Sequence, residues 1–232
     1  WTFSTLGWPE NTMDLKTYHP TSVLETGYDI IFFWVARMIL MSGFLLGQVP
    51  FKKVYLHGLV RDGQGRKISK SLGNNIDPME MAEKYGMDAV RMSLIIGTSP
   101  GADSRISDEK IKAYKHFANK IWNIALFVVG SRDDNLASTE KKTTPRDNEI
   151  LEEFKKLISE TTVFMERGQF HLAAEGLYAY LWHEFADKII EESKEILSDN
   201  SPEKTGEKKS RQELLLYILK DSLKLLHPFM PF

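Results

Sequence analysis

The sequence predicts an α/β segment followed by an all-α bundle. Residues 1–106 hold short apolar runs separated by glycine and proline, which is typical of alternating strands and helices. Residues 107–232 instead repeat apolar residues at helical spacing, which is typical of packed helices. The charge balance changes at the same point, from 11 Lys+Arg against 10 Asp+Glu to 19 against 22. We therefore predict two domains, 1–106 and 107–232.

The composition excludes several classes of protein. The 232 residues are 42% hydrophobic and carry a formal net charge of -2, which is typical of a folded chain without a strong basic field. The absence of cysteine excludes disulfide frameworks, zinc fingers and thiol nucleophiles, and it fits a cytoplasmic protein. The first residues show no signal-peptide pattern. The chain begins without methionine and stops abruptly at Met230-Pro231-Phe232, so we expect a piece of a longer protein.

In the first domain the pattern predicts a strand, a helix and a second strand. The first strand covers residues 22–26 and ends at Gly27, and Asp29 can cap a helix that runs to about residue 44. The second strand covers residues 53–60, and the glycine-rich stretch 62–65 predicts a hairpin or a tight turn after it.

The helix between the strands carries the most apolar run, Ile30 to Leu46. The run is short for a membrane span and has Arg37 at its centre. We therefore predict a buried helix without contact to a membrane, and we place Phe32, Phe33 and Met38 in the core.

Capping residues mark the remaining helices. Asp77 and Pro78 begin one that Gly86 ends, and Asp88 is predicted to cap the next. After Ser107, helices to about 129 and over about 148–168, 172–197 and 211–226 form a four-helix bundle. The polar connections, including 198–210, are predicted to be loops with nothing to bury.

The segment with the clearest chemistry is the loop Arg66–Asn75. Lys67 and Lys70 flank Ser69, and Gly73 follows. Ammonium groups, hydroxyls and a flexible backbone together suit a polyphosphate, because lysine is a movable point charge that can follow the charge on a leaving pyrophosphate. By composition alone, a basic loop rich in serine is more often a solvated surface than a site.

Residues 67–71, KISKS, resemble the KMSKS signature of class I aminoacyl-tRNA synthetases, with Ile68 in place of methionine. The flanking stretches resemble the valyl branch of this family in order and spacing: STLGWPE (4–10), TGYDIIFFWVARMI (26–39), VYLHGLVRD (54–62) and SKSLGNNIDP (69–78). The resemblance implies the C-terminal half of a Rossmann-type catalytic domain, followed by an anticodon-binding bundle. It also implies a monomeric cytoplasmic ligase that uses ATP and Mg²⁺ to activate valine as an adenylate and transfers it to tRNA(Val).

The resemblance also implies roles for single residues. Lys67, Ser69 and Lys70 would act in catalysis, and Lys70 would also contact ATP. The other assignments are Gly27 and Asp29 at the ribose, His57 and Gly58 at the adenine, and Ile30 and Trp34 around the valine side chain. No metal ligand is predicted within the chain.

Purely structural interpretations of these residues also stay open. Asp29 could be a plain helix cap, and His57 could be an ordinary polar group. Ile30 and Trp34 lie four residues apart on one helical face, and both could belong to an ordinary core.

Two family features are missing from the sequence. None of the six histidines forms the His-x-Gly-His motif, and the editing insertion is not present. Both would precede Trp1, so we expect this chain to be inactive alone, with bare strand edges that favour self-association.

The bundle should bind the tRNA, although its net charge is negative. Aromatic stacking is the usual way in which proteins read unpaired bases, but the candidate rings are all at core-like spacing: Trp122, Tyr178 and Trp182. Candidate phosphate contacts, each of which could also be a solvated charge, are Lys112, Lys115, Lys120 and Arg132.

Two other functions remain open at this point. The chain could be a non-catalytic tRNA-binding module, or it could belong to a related synthetase such as the isoleucyl enzyme. Comparing the binding of valine tRNA with that of an anticodon-swapped tRNA tests the first alternative. The amino-acid specificity of the complete enzyme tests the second.

Overall fold

The computed structural model describes residues 3–136 and 139–232, with their side chains except those of Lys70 and Asp134. The chain divides into two compact units. The first contains Trp1–Lys67 and Thr98–Arg105, and the second contains Ile68–Gly97 and Ile106–Phe232. The predicted domains are consecutive ranges that meet near residue 106, whereas each unit contains two separate stretches of the chain. The boundary near residue 106 therefore stays a prediction.

A parallel pair of strands forms the centre of the first unit. Helix α1 (Met13–Tyr18) precedes strand β1 (Thr21–Gly27). Strand β2 (Phe51–His57) pairs with β1 along its length, and the last residues of the two strands, Gly27 and His57, lie side by side. Parallel strands require a crossover connection, which the helical segment between them provides. The predicted order of strand, helix and strand is therefore confirmed.

The crossover combines three helical geometries. A 3-10 turn (Tyr28–Ile30) leads into a π-helical turn (Ile31–Val35) and then into helix α2 (Ala36–Leu46). The cap position before the first turn is Gly27, so Asp29 is not the helix cap.

Most apolar side chains of this crossover are exposed. Val35 and Ser42 are its buried residues, whereas Phe32 is 75% exposed and Phe33 is 63% exposed. The predictions of a buried helix and of core positions for Phe32 and Phe33 are therefore wrong, and Met38 is partly buried. The reason is geometric, because a pair of strands covers only one narrow stripe of a helix.

The second predicted strand is interrupted after His57. Strand β3 (Val60–Arg61) follows, and it pairs in parallel with strand β4 (Ser104–Arg105). A β-carbon on Gly58 would lie 1.9 Å from the carbonyl oxygen of Ala102. Glycine is therefore required where these two backbone segments meet.

The second unit begins with two short helices. In α3 (Pro78–Tyr85) the Asp77 carboxylate accepts a hydrogen bond from the Met79 N–H at 2.8 Å, as the sequence predicts. Gly86 ends α3 with a φ of 92° and is also the cap of α4 (Met87–Ile95). The prediction that Asp88 caps α4 is therefore wrong, because one residue serves both helices.

Long helices form the predicted bundle. They are α5 (Asp108–Gly130), α6 (Pro145–Glu166), a continuous helix made of α7 (Phe170–Ala179), a π-helical segment (Tyr180–Ile190) and α8 (Glu191–Ser198), and α9 (Thr205–Leu226). Their core contains Phe117, Phe154, Phe185 and Leu215, all fully buried. The apolar periodicity predicts these helices but not the π-helical geometry.

Two helices begin earlier than the sequence predicts. Helix α6 starts at Pro145 because Thr144 and Asp147 form a reciprocal capping box. Helix α9 starts at Thr205, and Ser210 near its N-terminus is fully buried. The prediction that residues 198–210 form a loop with nothing to bury is therefore wrong for its last six residues.

A buried ion network joins three helices of the bundle. Arg211 is only 1% exposed, and its Nε donates to Asp147 Oδ1 at 2.7 Å. Its Nη1 donates to Glu192 Oε1 at 3.1 Å and to Ser193 Oγ at 3.0 Å, while Ser210 Oγ donates to Asp147 Oδ2 at 2.8 Å. A buried charge of this kind depends on its partners, because removal of one leaves the other desolvated and unpaired.

Replacement of Arg211 by alanine should lower the free energy of unfolding by about 3–5 kcal/mol, because Asp147 is left buried without its cation. Urea denaturation followed by circular dichroism measures this change. The control is Arg167→Ala at the exposed end of α6, which should change the value by less than about 0.5 kcal/mol. A loss as small as that of the control contradicts the proposed role of the network.

The same network predicts a pH dependence. Burial alone would raise the pKa of Asp147, but hydrogen bonds from Thr144, Ser210 and Arg211 outweigh it and hold the pKa below its usual range. A lowered folded-state pKa stabilises the protein above the unfolded-state pKa of about 3.9, and this contribution is lost as the pH falls through the folded-state value. The difference in unfolding free energy between the wild type and Asp147→Asn should therefore be constant near neutral pH and shrink below about pH 4. A difference that stays constant through the acid range refutes this assignment.

Candidate functional site

The carboxyl edge of the β1–β2 pair brings two candidate segments together. Gly27 is the last residue of β1 and pairs with His57, the last residue of β2, which Gly58 follows. Ligands of open α/β sheets bind beyond the carboxyl ends of the strands. Parallel pairing thus unites two stretches that the sequence keeps far apart.

Gly27 keeps space open between the side chains at this edge. A β-carbon there would lie 2.7 Å from Asp29 Oδ1 and 3.4 Å from the His57 ring. The Asp29 carboxylate is exposed in the turn that follows Gly27. A carboxylate in this position can accept hydrogen bonds from two neighbouring hydroxyl groups of a ligand.

The His57 side chain contacts the next residue of its own segment and a side chain of the neighbouring strand β1. Its Nδ1 lies 2.8 Å from the Gly58 carbonyl oxygen, and its Nε2 lies 3.4 Å from Glu25 Oε1. A carbonyl oxygen accepts, so Nδ1 carries the proton in this contact. These contacts favour backbone groups, rather than the imidazole, as ligand contacts of this segment.

Ile30 and Trp34 lie on the open side of the crossover. They are 38% and 44% exposed, next to the exposed Phe32 and Phe33. The interpretation of Ile30 and Trp34 as ordinary core is therefore wrong for this chain. Both side chains are accessible to a small apolar ligand.

Hydrogen bonds shape the beginning of the basic loop. Asp62 Oδ1 accepts from the N–H groups of Gln64 at 3.0 Å and Arg66 at 2.8 Å, and its Oδ2 accepts from Arg66 Nε at 2.8 Å. The backbone of Lys67 then bridges to that of Arg61 in an antiparallel direction. The predicted tight turn is confirmed, and a buried carboxylate stabilises it.

The second part of the loop lies in the second unit. The Ser69 N–H donates to Asn74 Oδ1 at 3.0 Å, and its hydroxyl lies 3.2 Å from that of Ser71. The backbone of Lys70 begins a 3-10 turn, Lys70–Leu72, but its side chain lies outside the described part of the structure. In residues 3–136 and 139–232 no group of three His, Asp or Glu side chains is arranged to hold a metal ion.

Asp103 is a residue of the edge that the sequence does not single out. Its carboxylate accepts hydrogen bonds from the Tyr28 hydroxyl, the Leu59 N–H and Arg61 Nε. No motif contains Asp103, and its neighbourhood arises only when Thr98–Arg105 returns to β2.

An open groove of about 560 Å³ lies between α5 and the π-helical segment. Lys120 Nζ sits in it, 2.6 Å from Asp187 Oδ1 and 4.8 Å from the centre of the Trp182 ring. The π-helical segment forms much of one wall of the groove. Short π-helical segments are frequent at functional sites. Other residues along the groove are His116, Asn119, Asn123, Phe127 and Lys194.

The structure separates the candidate RNA contacts of the bundle. Trp122 is 67% exposed, so the core position that its spacing suggests is wrong. Tyr178 and Trp182 are half-buried, and their rings stack on each other. The four candidate cations are spread from near the start of α5 to just past its end, and of these Lys120 lines the groove: Lys112, Lys115, Lys120 and Arg132. Lys194, which the sequence did not suggest, also lines it.

Comparisons with known proteins agree with this arrangement. Residues 1–107 match the family described as tRNA synthetases class I (I, L, M and V), and residues 147–232 match the anticodon-binding domain of tRNA ligase. The structure resembles a Mycobacterium tuberculosis methionyl-tRNA synthetase in complex with methionyl-adenylate, with a TM-score of 0.81 and 24% identity over 98% of this chain and 46% of that one. The predicted fold class, part of a Rossmann-type catalytic domain followed by a helical anticodon domain, is confirmed.

Curated relatives extend the match to the whole chain. It is 48% identical to valine-tRNA ligase of Pseudothermotoga lettingae over 233 residues and 47% identical to that of Thermotoga maritima over 232 residues. Each alignment covers 100% of this chain and 26% of the relative, so the chain spans about a quarter of their length. The chain therefore belongs to the class I tRNA synthetases, and the relatives it resembles along its entire length are valine-tRNA ligases.

Proposed function

We propose that the chain is the part of a valine-tRNA ligase that completes the nucleotide site and recognises the tRNA. In the proposed reaction the valine carboxylate attacks the α-phosphorus of ATP, and pyrophosphate leaves. A ribose hydroxyl of tRNA(Val) then attacks the carbonyl of valyl-adenylate and releases AMP. The observation that carries the proposal is the glycine-lined edge of the β1–β2 pair, in a chain 48% identical to a valine-tRNA ligase.

The strand edge would hold the adenosine part of ATP. Asp29 would accept hydrogen bonds from the two ribose hydroxyls, since its carboxylate is exposed beside the open space at Gly27. Backbone groups of His57 and Gly58 would contact the adenine. The His57 ring already contacts Gly58 and Glu25, which supports the proposal that backbone groups rather than the imidazole contact the adenine.

The basic loop would stabilise the triphosphate. Lys67 and Lys70 would neutralise charge that moves onto the leaving pyrophosphate, and Ser69 would keep the loop in shape through its bonds to Asn74 and Ser71. Mg²⁺ would arrive with the ATP phosphates, because in such sites it is usually bound through substrate phosphates, one or two carboxylates and water rather than by an all-protein cage.

Ile30 and Trp34 would line the valine side-chain pocket. Such a pocket rejects larger side chains by overpacking, but it separates valine from the isosteric threonine only about 100-fold. Accurate aminoacylation would therefore depend on an editing site elsewhere. Because no His-x-Gly-His motif is present either, we propose that these 232 residues alone do not form the adenylate.

The groove of the bundle would receive an unpaired anticodon base. The half-buried Trp182 offers a stacking surface, and Lys120 and Lys194 offer cations in a bundle whose net charge is negative. Affinity would then come from a few local contacts rather than from a general basic field.

We also propose that the protein is cytoplasmic and that the whole enzyme is a monomer. The segment Tyr28–Leu46 is long and apolar enough to cross a membrane by length and composition. However, parallel pairing requires it to run back beside β1 and β2, so a bilayer would also enclose open strand edges and charged side chains such as Lys53.

Replacement of Lys70 by alanine in the full-length gene product should lower valine-dependent exchange of pyrophosphate into ATP by about 10²-fold or more, because a transition-state cation is removed. The melting temperature should not change. The matched control is Lys53→Ala, at an exposed position of β2 away from the carboxyl edge, which should retain full exchange. Unaltered exchange in Lys70→Ala removes the catalytic role.

Replacement of Trp182 by leucine should weaken binding of tRNA(Val) to the chain by about tenfold, since stacking on an aromatic ring contributes about 1–3 kcal/mol per base. Trp122→Leu, an exposed tryptophan that does not line the groove, is the control and should bind normally. Fluorescence anisotropy with tRNA(Val) and an anticodon-swapped tRNA measures both. Equal binding of the two tRNAs by the wild type contradicts anticodon recognition.

A further inference from the structure

The Asp103 carboxylate joins three parts of the first unit. Its Oδ1 accepts from the Tyr28 hydroxyl at 3.0 Å and from the Leu59 N–H at 2.8 Å, and its Oδ2 accepts from Arg61 Nε at 2.5 Å. Tyr28 lies between Gly27 and Asp29, and Leu59 directly follows Gly58. One side chain therefore holds a residue inside the first segment proposed to bind the nucleotide and the residue that directly follows the second.

The backbone around Asp103 is itself hydrogen-bonded to β2 and to the residues between β2 and β3. The Gly101 N–H donates to the Leu56 carbonyl at 2.9 Å, and the Ser104 N–H donates to the Leu59 carbonyl at 3.0 Å. At Gly58 the two backbones approach so closely that a β-carbon would lie 2.5 Å from the Asp103 nitrogen. Asp103 is thus fixed relative to β2. Its hydrogen bond to Tyr28 in turn restrains the residues that follow β1 relative to β2.

Electrostatics keep this junction charged at neutral pH. The Leu59 N–H and then the Arg61 guanidinium hold the pKa of Asp103 below its usual range, and the bond to Asp103 raises the pKa of Tyr28. Tyr28 therefore stays a neutral donor and Asp103 a charged acceptor. Hydrogen bonds to a charged partner are shorter and stronger than bonds between neutral groups.

The pairing of β1 with β2 ends at Gly27 and His57, just before the atoms that would meet the nucleotide. Beyond this point the bond from Tyr28 to Asp103 and the bond from Leu59 to Asp103 continue the tie between the two segments. We propose that Asp103 is a positioning residue for ATP: acting through Tyr28 and Leu59, it sets the distance between the ribose-binding segment at 27–29 and the adenine-binding segment at 57–58. This inference rests on the proposed function.

The test measures ATP–pyrophosphate exchange by the full-length gene product, with separate KM values for ATP and valine. Asp103→Asn keeps the shape of the side chain but replaces one oxygen with a donor, and Tyr28→Phe removes a single hydroxyl. We expect the KM for ATP to rise about tenfold in Asp103→Asn and severalfold in Tyr28→Phe, with a smaller change in the KM for valine, because misplaced binding groups weaken the ligand that spans them. Matched controls are Asp14→Asn and Tyr18→Phe, both at exposed positions of α1, which should leave both KM values unchanged.

A double variant provides a further readout. If Tyr28 acts through Asp103, the combination of Tyr28→Phe and Asp103→Asn should raise the KM for ATP no more than Asp103→Asn alone. An unchanged KM for ATP, or equal rises for ATP and valine together with a lower melting temperature, assigns Asp103 to general stability and overturns the proposal. A wild-type protein without valine-dependent exchange instead overturns the proposed function, and with it the positioning role.

Discussion

The parallel pairing of β1 with β2 is the constraint on which the first unit depends. Two parallel neighbours cannot be joined by a tight turn, so the chain needs a helical crossover between them. The same pairing places Gly27 beside His57 at one edge of the sheet, although 29 residues separate them in the chain. The proposed nucleotide site at this edge therefore depends on strand direction. A β-carbon at Gly27 would intrude between Asp29 and His57, and Gly58 allows the backbone at Ala102 to approach.

Carboxylates perform a similar task in both units. Asp103 collects donors from Tyr28 just after β1, from Leu59 between β2 and β3, and from Arg61 in β3. Asp147 collects them from the start of α6 and from α9. A carboxylate can accept several hydrogen bonds at once, so one side chain can fix the positions of several segments. The two differ in solvent access, because Asp147 and Arg211 are fully enclosed by helices whereas Asp103 lies near the surface.

The crossover shows how an apolar sequence and a buried position can differ. Ile30 to Leu46 is largely apolar apart from Arg37, yet Val35 and Ser42 are its buried residues. Ser42 lies against His19 and the Gln48 carbonyl rather than against apolar side chains. The remaining apolar side chains are exposed, among them Ile30 and Trp34. In the bundle, by contrast, each long helix meets several others and buries many of its apolar residues, although Trp122, Leu126 and Val129 of α5 stay exposed.

The sequence by itself determined the fold class, the helices with strong periodicity and caps, and the basic loop, because spacing and capping are local properties. It also determined the family, since the motifs around Gly27, His57 and Lys70 are contiguous strings. Only the tertiary structure decided which apolar residues are buried, how Gly58 meets Ala102, and which donors gather at Asp103 and Arg211. These features depend on segments distant in the chain that approach within hydrogen-bonding distance, and no local pattern encodes that approach.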